Sequence, residues 1–435
     1  MARFLFTIWP LTSHIQPQMG TAMELRSRGH EVAFYTGASA AALLDGEGMR
    51  VFPFRRVDEA LVWDVIRAVT ERATGGSTPR LMRRVTQEWW AGTVPDQVAD
   101  LREILDAWHP NVLVTETSVW APILVLGETT GLPVAISSTL MGCLIDGTDA
   151  PPWGLGLRPP RTLLTRLVAR AYGTIIDVAA RGFRRQLDQM RAGYGLPPMG
   201  CSVNSFTGRL PLYMVPSIAE LDYGRHDLPP CVHYVGPCVW NKATGETAPA
   251  WLQDLPTDRP LVHVTEGTLH YQDPFVLRAA VHGLARLPVQ VVATTGRQRD
   301  PATLNLGSLA PNVRLEQWVS HADLLPRCAA LVTTGGAGTV LAALQAGVPM
   351  VIVPTHWDKP DNAQRVVQVG AGIRLSPKRC TSERLRAAVE HVLAEPSFKV
   401  NAERLAGELA AAPGPKGAAP LLEELVLRTT RTVAR

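Results

Sequence analysis

The stretch Val332–Val340, VTTGGAGTV, is where the residue types most plainly suggest chemistry. An apolar run ends in two threonines, a Gly-Gly-Ala-Gly tetrapeptide follows, and a helical pattern then begins. Side chain is nearly absent at a place where a βα turn would otherwise carry function. Glycine lets the backbone approach an anion closely and adopt positive φ. Bare N–H groups at a helix N-terminus, with the helix dipole, then favour a phosphate. A plain glycine-rich βα turn would look the same in isolation. The spacing fits neither the P-loop nor the G-x-G-x-x-G fingerprint, so ATP and NAD lose support.

The rest of the chain must position that turn. RFLFTIW (Arg3–Trp9) reads as a continuous apolar strand. Pro17 opens a helical pattern with Met19, Ala22 and Met23 on one face, Gly29 closes it, and EVAFYT (Glu31–Thr36) is the next strand. DLREILDAW, NVLVTE, WAPILVLGETT and LPVAIS continue as helix, strand, helix and strand. Near-continuous apolar strands between helices imply a parallel sheet covered on both faces. QEWWA and the run from Pro160 to Gly193 also read as helical. The latter interleaves arginines with apolar residues, as an amphipathic helix or helix pair packed on the first domain would. It could also wall an apolar ligand pocket or lie on a membrane surface.

Between Tyr234 and Pro260 the composition turns to Pro, Thr, Gly and small polar residues, which marks a linker. A second series follows: LVHVTEG, VQVVATTG, RLEQWV, AALVTT, VPMVIVP and AGIRLS as strands with helices between them. The expected fold class is α/β, with two tandem Rossmann-like doubly wound domains facing across a cleft. The expected boundaries are an N-terminal domain 1–235, a linker 236–258, a C-terminal domain 259–412, and a last helix in 413–435 packing back on the N-terminal domain. In open α/β sheets ligands bind at the carboxyl ends of the strands. Fold alone does not fix chemistry.

Composition narrows the field. A chain of 435 residues exceeds what one hydrophobic core usually serves. With 46% hydrophobic and 19% charged residues, large cores can form. A formal net charge of +4 is too small to imply nucleic acid, and no basic run is interleaved with aromatics. Cysteines 143, 201, 231, 238, 328 and 380 have no CxxC spacing and no zinc pattern around them. They read as reduced thiols of a cytoplasmic protein. MARFLFTIWPL reads as a first strand and not as a signal peptide. No run reaches the ~18 clean apolar residues of a membrane-spanning helix.

Further motifs flank the glycine turn. QWVSHADLLPRC (Gln317–Cys328) precedes it, GVPMVIVPTHWDKPDNAQRVVQVGAG (Gly347–Gly372) follows it, and TEGT (Thr265–Thr268) stands earlier. The N-terminus reads IWPLTSHIQPQMGTAMELRSRGHEVAFYT. In this order the sequence resembles family 1 glycosyltransferases of the GT-B fold, especially bacterial enzymes that glycosylate natural products. The resemblance covers essentially the whole chain. It implies an acceptor-binding N-terminal domain and a C-terminal domain that binds a nucleotide sugar. Trp318 and Val319 would meet the base, the first by its ring and the second by backbone hydrogen bonds. Thr334, Gly335, Gly336, Gly338 and Thr339 would form the diphosphate turn, with Thr268 nearby. Asp358 and Lys359 would contact the sugar. His14 would be the general base, because an imidazole titrates near neutrality. Glu116, after NVLVT, would hold its other ring nitrogen. His30 matches a structural histidine in the family's R-G-H segment.

Three departures stand out. Thr334 replaces the family's phosphate-turn histidine, which calls for a compensating cation; Arg297 and His321 are the candidates. Ala342 stands where many members hold ribose hydroxyls with a glutamate, which tilts the expected donor from uridine toward a thymidine-diphosphate sugar. Lys359 replaces the usual glutamine, and could instead face solvent or pair with Asp361. The resemblance implies an inverting transferase that needs no cofactor and no metal. It would move a hexose to a hydroxyl of an apolar or polycyclic metabolite. A catalytically silent partner of another enzyme, and a sugar-nucleotide epimerase, are the other readings. Segments Asp58–Trp90 and Leu140–Arg161, with Trp63, Trp89, Trp90 and Trp153, would line the acceptor pocket.

Overall fold

Alternate residues of the first strand point to opposite faces, and both faces are apolar. In β1 (Arg3–Thr7) Leu5 faces one core while Phe4 and Phe6 face the other. A strand buried on both faces has to lie inside a helix-covered parallel sheet. The computed structural model describes residues 1–70, 79–238, 248–268 and 273–433. Residues 239–247 of the expected linker, 71–78 of the expected acceptor segment and 434–435 of the last helix lie outside the described residues.

The first sheet adds β2 (Glu31–Thr36), β3 (Arg50–Pro53), β4 (Val112–Thr115), β5 (Val134–Ser137), β6 (Leu212–Val215) and β7 (Val232–Tyr234). Its order is β3-β2-β1-β4-β5-β6-β7, and every pairing is parallel. The second sheet holds β8 (Leu261–Thr265), β9 (Gln290–Thr294), β10 (Val313–Glu316), β11 (Ala330–Thr333), β12 (Met350–Ile352) and β13 (Gly372–Arg374). Its order is β10-β9-β8-β11-β12-β13, again all parallel. In each sheet the winding reverses once, between β1 and β4 and between β8 and β11. Those reversals are the topological switch points where such sheets open a crevice.

Helices close both faces of each sheet. Helix Val94–Trp108 packs Val98, Leu101 and Leu105 against Leu5, Leu113 and Ile136. On the other face helix Thr12–Ser27 contributes Ile15, Met19 and Ala22. Ala418, Ala419, Leu422 and Leu425 of the last helix, Pro415–Val433, join that same core. Glu423 of this helix accepts from Arg28 and pairs with His30 Nε2 at 2.8 Å, so His30 ties the strand start to the chain's end.

The long arginine-rich run departs from expectation. It forms two helices, Leu163–Ala179 and Arg181–Ala192. The second anchors itself through Leu187 and Arg191, but the first buries no residue. Leu163 is 77% exposed and Ile175 64%. An amphipathic pattern alone forms the helix, and among the described residues none covers its apolar face.

The two sheets are joined by buried polar contacts. Asp222 is fully buried and follows β6; its carboxylate accepts from the Cys143 N–H, the Tyr234 hydroxyl and the Arg365 guanidinium. Arg365 comes from helix Lys359–Gln368 behind the second sheet. Asp361 of the same helix accepts the N–H groups of Gly154 (2.6 Å) and Gly156 (2.7 Å). Gly156 has φ +58°, and a Cβ there would lie 2.6 Å from the Pro360 carbonyl oxygen, so the loop can approach only as glycine. Removing one partner of a buried ion pair strands the other. Arg365→Met should therefore cost about 3–5 kcal/mol in urea denaturation. A loss below about 1 kcal/mol would class the pair with ordinary surface ion pairs.

Candidate active site

β1 and β4 are neighbours, with Thr7 opposite Thr115, so the residues that follow each strand emerge side by side. After β1 the chain turns at Trp9 and starts the helix that carries His14 in its first turn. After β4 comes Glu116, 1% exposed. One Glu116 oxygen accepts the Trp9 backbone N–H at 2.8 Å, and the other is hydrogen-bonded to His14 Nδ1. The carboxylate is fixed from behind, and it fixes the imidazole. His14 keeps 24% of its side chain exposed, and the nitrogen not engaged by Glu116 is Nε2. Burial opposes the imidazolium, but the charge and hydrogen bond of Glu116 outweigh it, and Asp358 adds to them. The His14 pKa is raised as a result.

The second switch point repeats the arrangement. Thr265 lies opposite Thr333, so Glu266 and Thr334 emerge together. The Thr334 hydroxyl donates to the Glu266 carbonyl at 2.9 Å. Gly335 has φ +91°, and a Cβ there would meet Ile352 at 2.7 Å. Gly336 is the extended N-cap of helix Ala337–Gln345. Among the described residues a Cβ on Gly336 or Gly338 would meet nothing within 4 Å. Thr339 lies in the first turn of that helix, and Thr268 is exposed on the neighbouring turn. Glu266 is buried beside them, its carboxyl pushed up to about 7 by burial against the Val276 and Leu277 amides.

Asp358 caps helix Lys359–Gln368 and feels the charge of His14 across the cleft. Burial pushes its carboxyl up, against Asn362, Lys359 and His14. Asn362 Nδ2 donates to Asp358 (2.7 Å) and to the Gly335 carbonyl (2.9 Å). Lys359 neither faces solvent nor pairs with Asp361. It is 6% exposed, and its ammonium donates to Thr334 Oγ1 (3.1 Å) and Thr355 Oγ1 (3.2 Å).

The two cations expected to compensate for Thr334 lie elsewhere. Arg297 stacks its guanidinium over the Trp318 ring, 3.4 Å from the centroid. His321 packs edge-on against buried His263, and burial lowers its pKa to about 4. Val319 is a core residue beside Trp318, at 3% exposure. Among the described residues no cluster of His, Cys, Asp and Glu is placed to hold a metal ion.

An aromatic cluster gathers around Trp9, whose backbone N–H Glu116 accepts. Trp9 packs on Trp89, and Trp90 packs on Trp120. Trp357, directly before Asp358, reaches over from the second sheet to Trp89 (6.4 Å) and Trp90 (6.0 Å). Its φ of +62° is rare for a residue with a bulky side chain. Trp357, Asn362, Glu266 and the Asp222–Arg365 pair were not singled out from sequence. Asn362 lies inside the quoted DKPDNA segment and could have been; nothing local marks the left-handed Trp357.

Two doubly wound domains with facing switch points, one bearing a carboxylate-held histidine and the other a glycine turn, define a GT-B glycosyltransferase. Residues 278–425 match the family described as erythromycin biosynthesis protein CIII-like, C-terminal domain. The chain is 36% identical to 4'-demethylrebeccamycin synthase of Lentzea aerocolonigenes, over 98% of this chain and all of that one. It is 27% identical to demethyllactenocin mycarosyltransferase of Streptomyces fradiae, covering 98% and 87% of the two chains. The solved glycosyltransferase of kitacinnamycin superposes with a TM-score of 0.74 at 23% identity, over 98% of each chain. This chain belongs to the family 1 natural-product glycosyltransferases and is an enzyme of antibiotic-type glycosylation. Among the described residues no helix is long and apolar enough to cross a membrane.

The His14–Glu116 pair has a measurable signature. Because His14 is raised on folding, the pair's contribution to stability is complete below the ordinary imidazole value and fades as pH rises through the raised one. An NMR titration of the His14 ring should show a midpoint above 6.5. Glu116→Gln leaves burial opposed by Asp358 alone, so the midpoint should fall. A midpoint that stays put would remove Glu116 as its cause.

Proposed function

We propose that the enzyme is an inverting, metal-independent hexosyltransferase. Its donor would be a nucleoside-diphosphate sugar, thymidine-linked by preference, and its acceptor a hydroxyl of an apolar or polycyclic secondary metabolite. The observation that carries this reading is His14, engaged by Glu116 at Nδ1 and near enough to Asp358 of the second domain to feel its charge. His14 Nε2 takes the acceptor proton as the acceptor oxygen attacks the anomeric carbon. The bond from that carbon to the diphosphate oxygen breaks, and its electron pair leaves on the phosphate. Glu116 stabilises the imidazolium that forms. One in-line displacement inverts the centre, and no second nucleophile is required.

Backbone N–H groups at Gly336 and Gly338, with Thr339 and Thr268 beside them, meet the diphosphate. Preorganised donors of this kind stabilise leaving-group charge without reorganisation. Asp358, oriented by Asn362, takes the sugar hydroxyls. Trp318 and the Val319 backbone take the base, with Arg297 on one face of the indole. Ala342 offers no carboxylate to a ribose, which favours a deoxyribose donor. A spinosyn rhamnosyltransferase solved with thymidine diphosphate shares the fold, with a TM-score of 0.70 over 97% of this chain. The tryptophans around Trp90 suit a flat apolar acceptor.

Incubation with thymidine- and uridine-diphosphate hexoses and polycyclic hydroxylated acceptors, followed by mass spectrometry, tests the reaction. The expected product gains a hexose with the anomeric configuration opposite to the donor's. His14→Ala should lower kcat roughly 10²- to 10⁴-fold while nucleoside-diphosphate affinity holds. Turnover near the wild-type rate in that variant would mean another group is the base, and faster use of the uridine donor would reverse the Ala342 argument.

A further inference from the structure

Asn362 is fully buried in the first turn of helix Lys359–Gln368. Its amide nitrogen carries two protons, and two acceptors take them. The Asp358 carboxylate accepts at 2.7 Å and the Gly335 carbonyl at 2.9 Å. A backbone carbonyl can only accept, so the nitrogen has to be the atom that faces Gly335. The amide oxygen has no hydrogen-bond partner among the described residues. A buried acceptor left unpaired is costly, so it is the two donor bonds that hold this side chain where it is.

The first bond orients a peptide. The C=O and N–H of one trans peptide point in opposite directions. The Gly335 carbonyl shares its peptide with the Gly336 N–H, so turning the carbonyl toward Asn362 aims that N–H the other way. Gly335 has φ +91°, and a Cβ there would lie 2.7 Å from Ile352, so the position demands glycine. Glycine brings little stiffness of its own. Asn362 supplies it from outside.

The second bond orients a carboxylate. Trp357, at φ +62°, delivers the backbone of Asp358, and Asn362 holds the side chain. Asp358 stands among Asn362, the Lys359 ammonium and the His14 ring, and the Asp361 carboxylate feels its charge. Burial opposes the charge of Asp358, while Asn362, Lys359 and His14 favour it. His14 in turn is faced by Glu116 and Asp358, and both favour its imidazolium.

We propose that Asn362 is the positioning residue of this site: one amide group aims the Gly336 N–H of the glycine turn and holds the Asp358 carboxylate where its charge acts on His14. The diphosphate side and the histidine side are then set by the same side chain. Asn362 acts through Gly336 and Asp358 and needs no contact with substrate. The Gly336 half rests on the donor-site reading above, and the experiment keeps the two apart.

Thymidine and uridine diphosphates, each beside its own nucleoside, are titrated against wild type and Asn362→Leu. The His14 ring is followed by NMR through pH in the same proteins, in Asp358→Asn and in the double variant. Asn362→Leu should weaken the better-bound diphosphate roughly 3- to 30-fold and leave its nucleoside unchanged, because a misdirected N–H loses about one hydrogen bond. The His14 midpoint should fall, since Asp358 loses a bond that favours its charged form and supports the imidazolium less. Asp358→Asn should lower the midpoint as well, and the double variant should lower it no further. Asn362→Ser has one hydroxyl proton for two acceptors, so it should show at least one of the two losses, and it carries the test if Asn362→Leu does not fold. An unchanged His14 midpoint in Asn362→Leu overturns the inference. Equal losses for diphosphate and nucleoside overturn it too, because that is the result of a merely structural asparagine. A further fall in the double variant would mean that Asn362 reaches His14 by another route, and overturns the Asp358 half. A wild-type protein that binds neither diphosphate overturns the donor-site reading and, with it, the inference that one side chain serves both.

Discussion

One short helix, Lys359–Gln368, is buried along most of its length although its sequence, KPDNAQRVVQ, is polar. A helix of that kind is stable only if each buried charge finds a partner. The partners it finds are the site. Asp361 takes two N–H groups of the loop at Gly154 and Gly156, and Arg365 takes Asp222. Asn362 takes the Gly335 carbonyl, Lys359 takes the Thr334 hydroxyl, and the capping Asp358 looks toward His14. The requirement to satisfy polar groups in a dry place thus fixes the second domain against the first. The same requirement fixes the Asp358 carboxylate relative to His14.

Much of this arrangement is written in local pattern. Strands such as EVAFYT and LVHVT are runs that only a parallel sheet can bury, and they stand where the alternation puts them. Shorter strands escaped. RVFP, LYMV and VHY have four residues or fewer and lie among prolines and glycines, so no period could mark them. The glycine turn was legible because glycine's backbone freedom leaves a signature in composition. The reach of a long side chain leaves none. Lys359 stands 25 positions after Thr334, and its contact with that hydroxyl depends on how β12 and the following helix fold back over β11. Arg297 was a fair sequence candidate for the same charge, but Gln317 holds its backbone beside the base segment and the guanidinium settles on Trp318.

The two switch points also divide the chemistry by dielectric. His14 keeps part of its ring exposed, while Glu116 behind it is sealed. A carboxylate with both oxygens engaged resists rotation, so the imidazole inherits one tautomer and one direction. On the other side, among the described residues, no side chain comes within 4 Å of where a Cβ on Gly336 or Gly338 would stand. Backbone amides fixed in this way need no reorganisation to meet an anion.

Trp357 shows how such a divided site stays in register. A bulky residue at φ +62° costs on the order of 1–3 kcal/mol. The offset is visible in its contacts: edge-on against Trp89 and tilted against Trp90, both from the other domain. Aromatic pairs of this geometry contribute about 0.5–1.5 kcal/mol each beyond the area they bury. The strain is therefore offset by contacts between the two domains, and it sits one residue before Asp358, which feels the charge of His14. The contacts that offset the strain and the backbone that places Asp358 are thus carried by one turn, and the contacts come from the other domain.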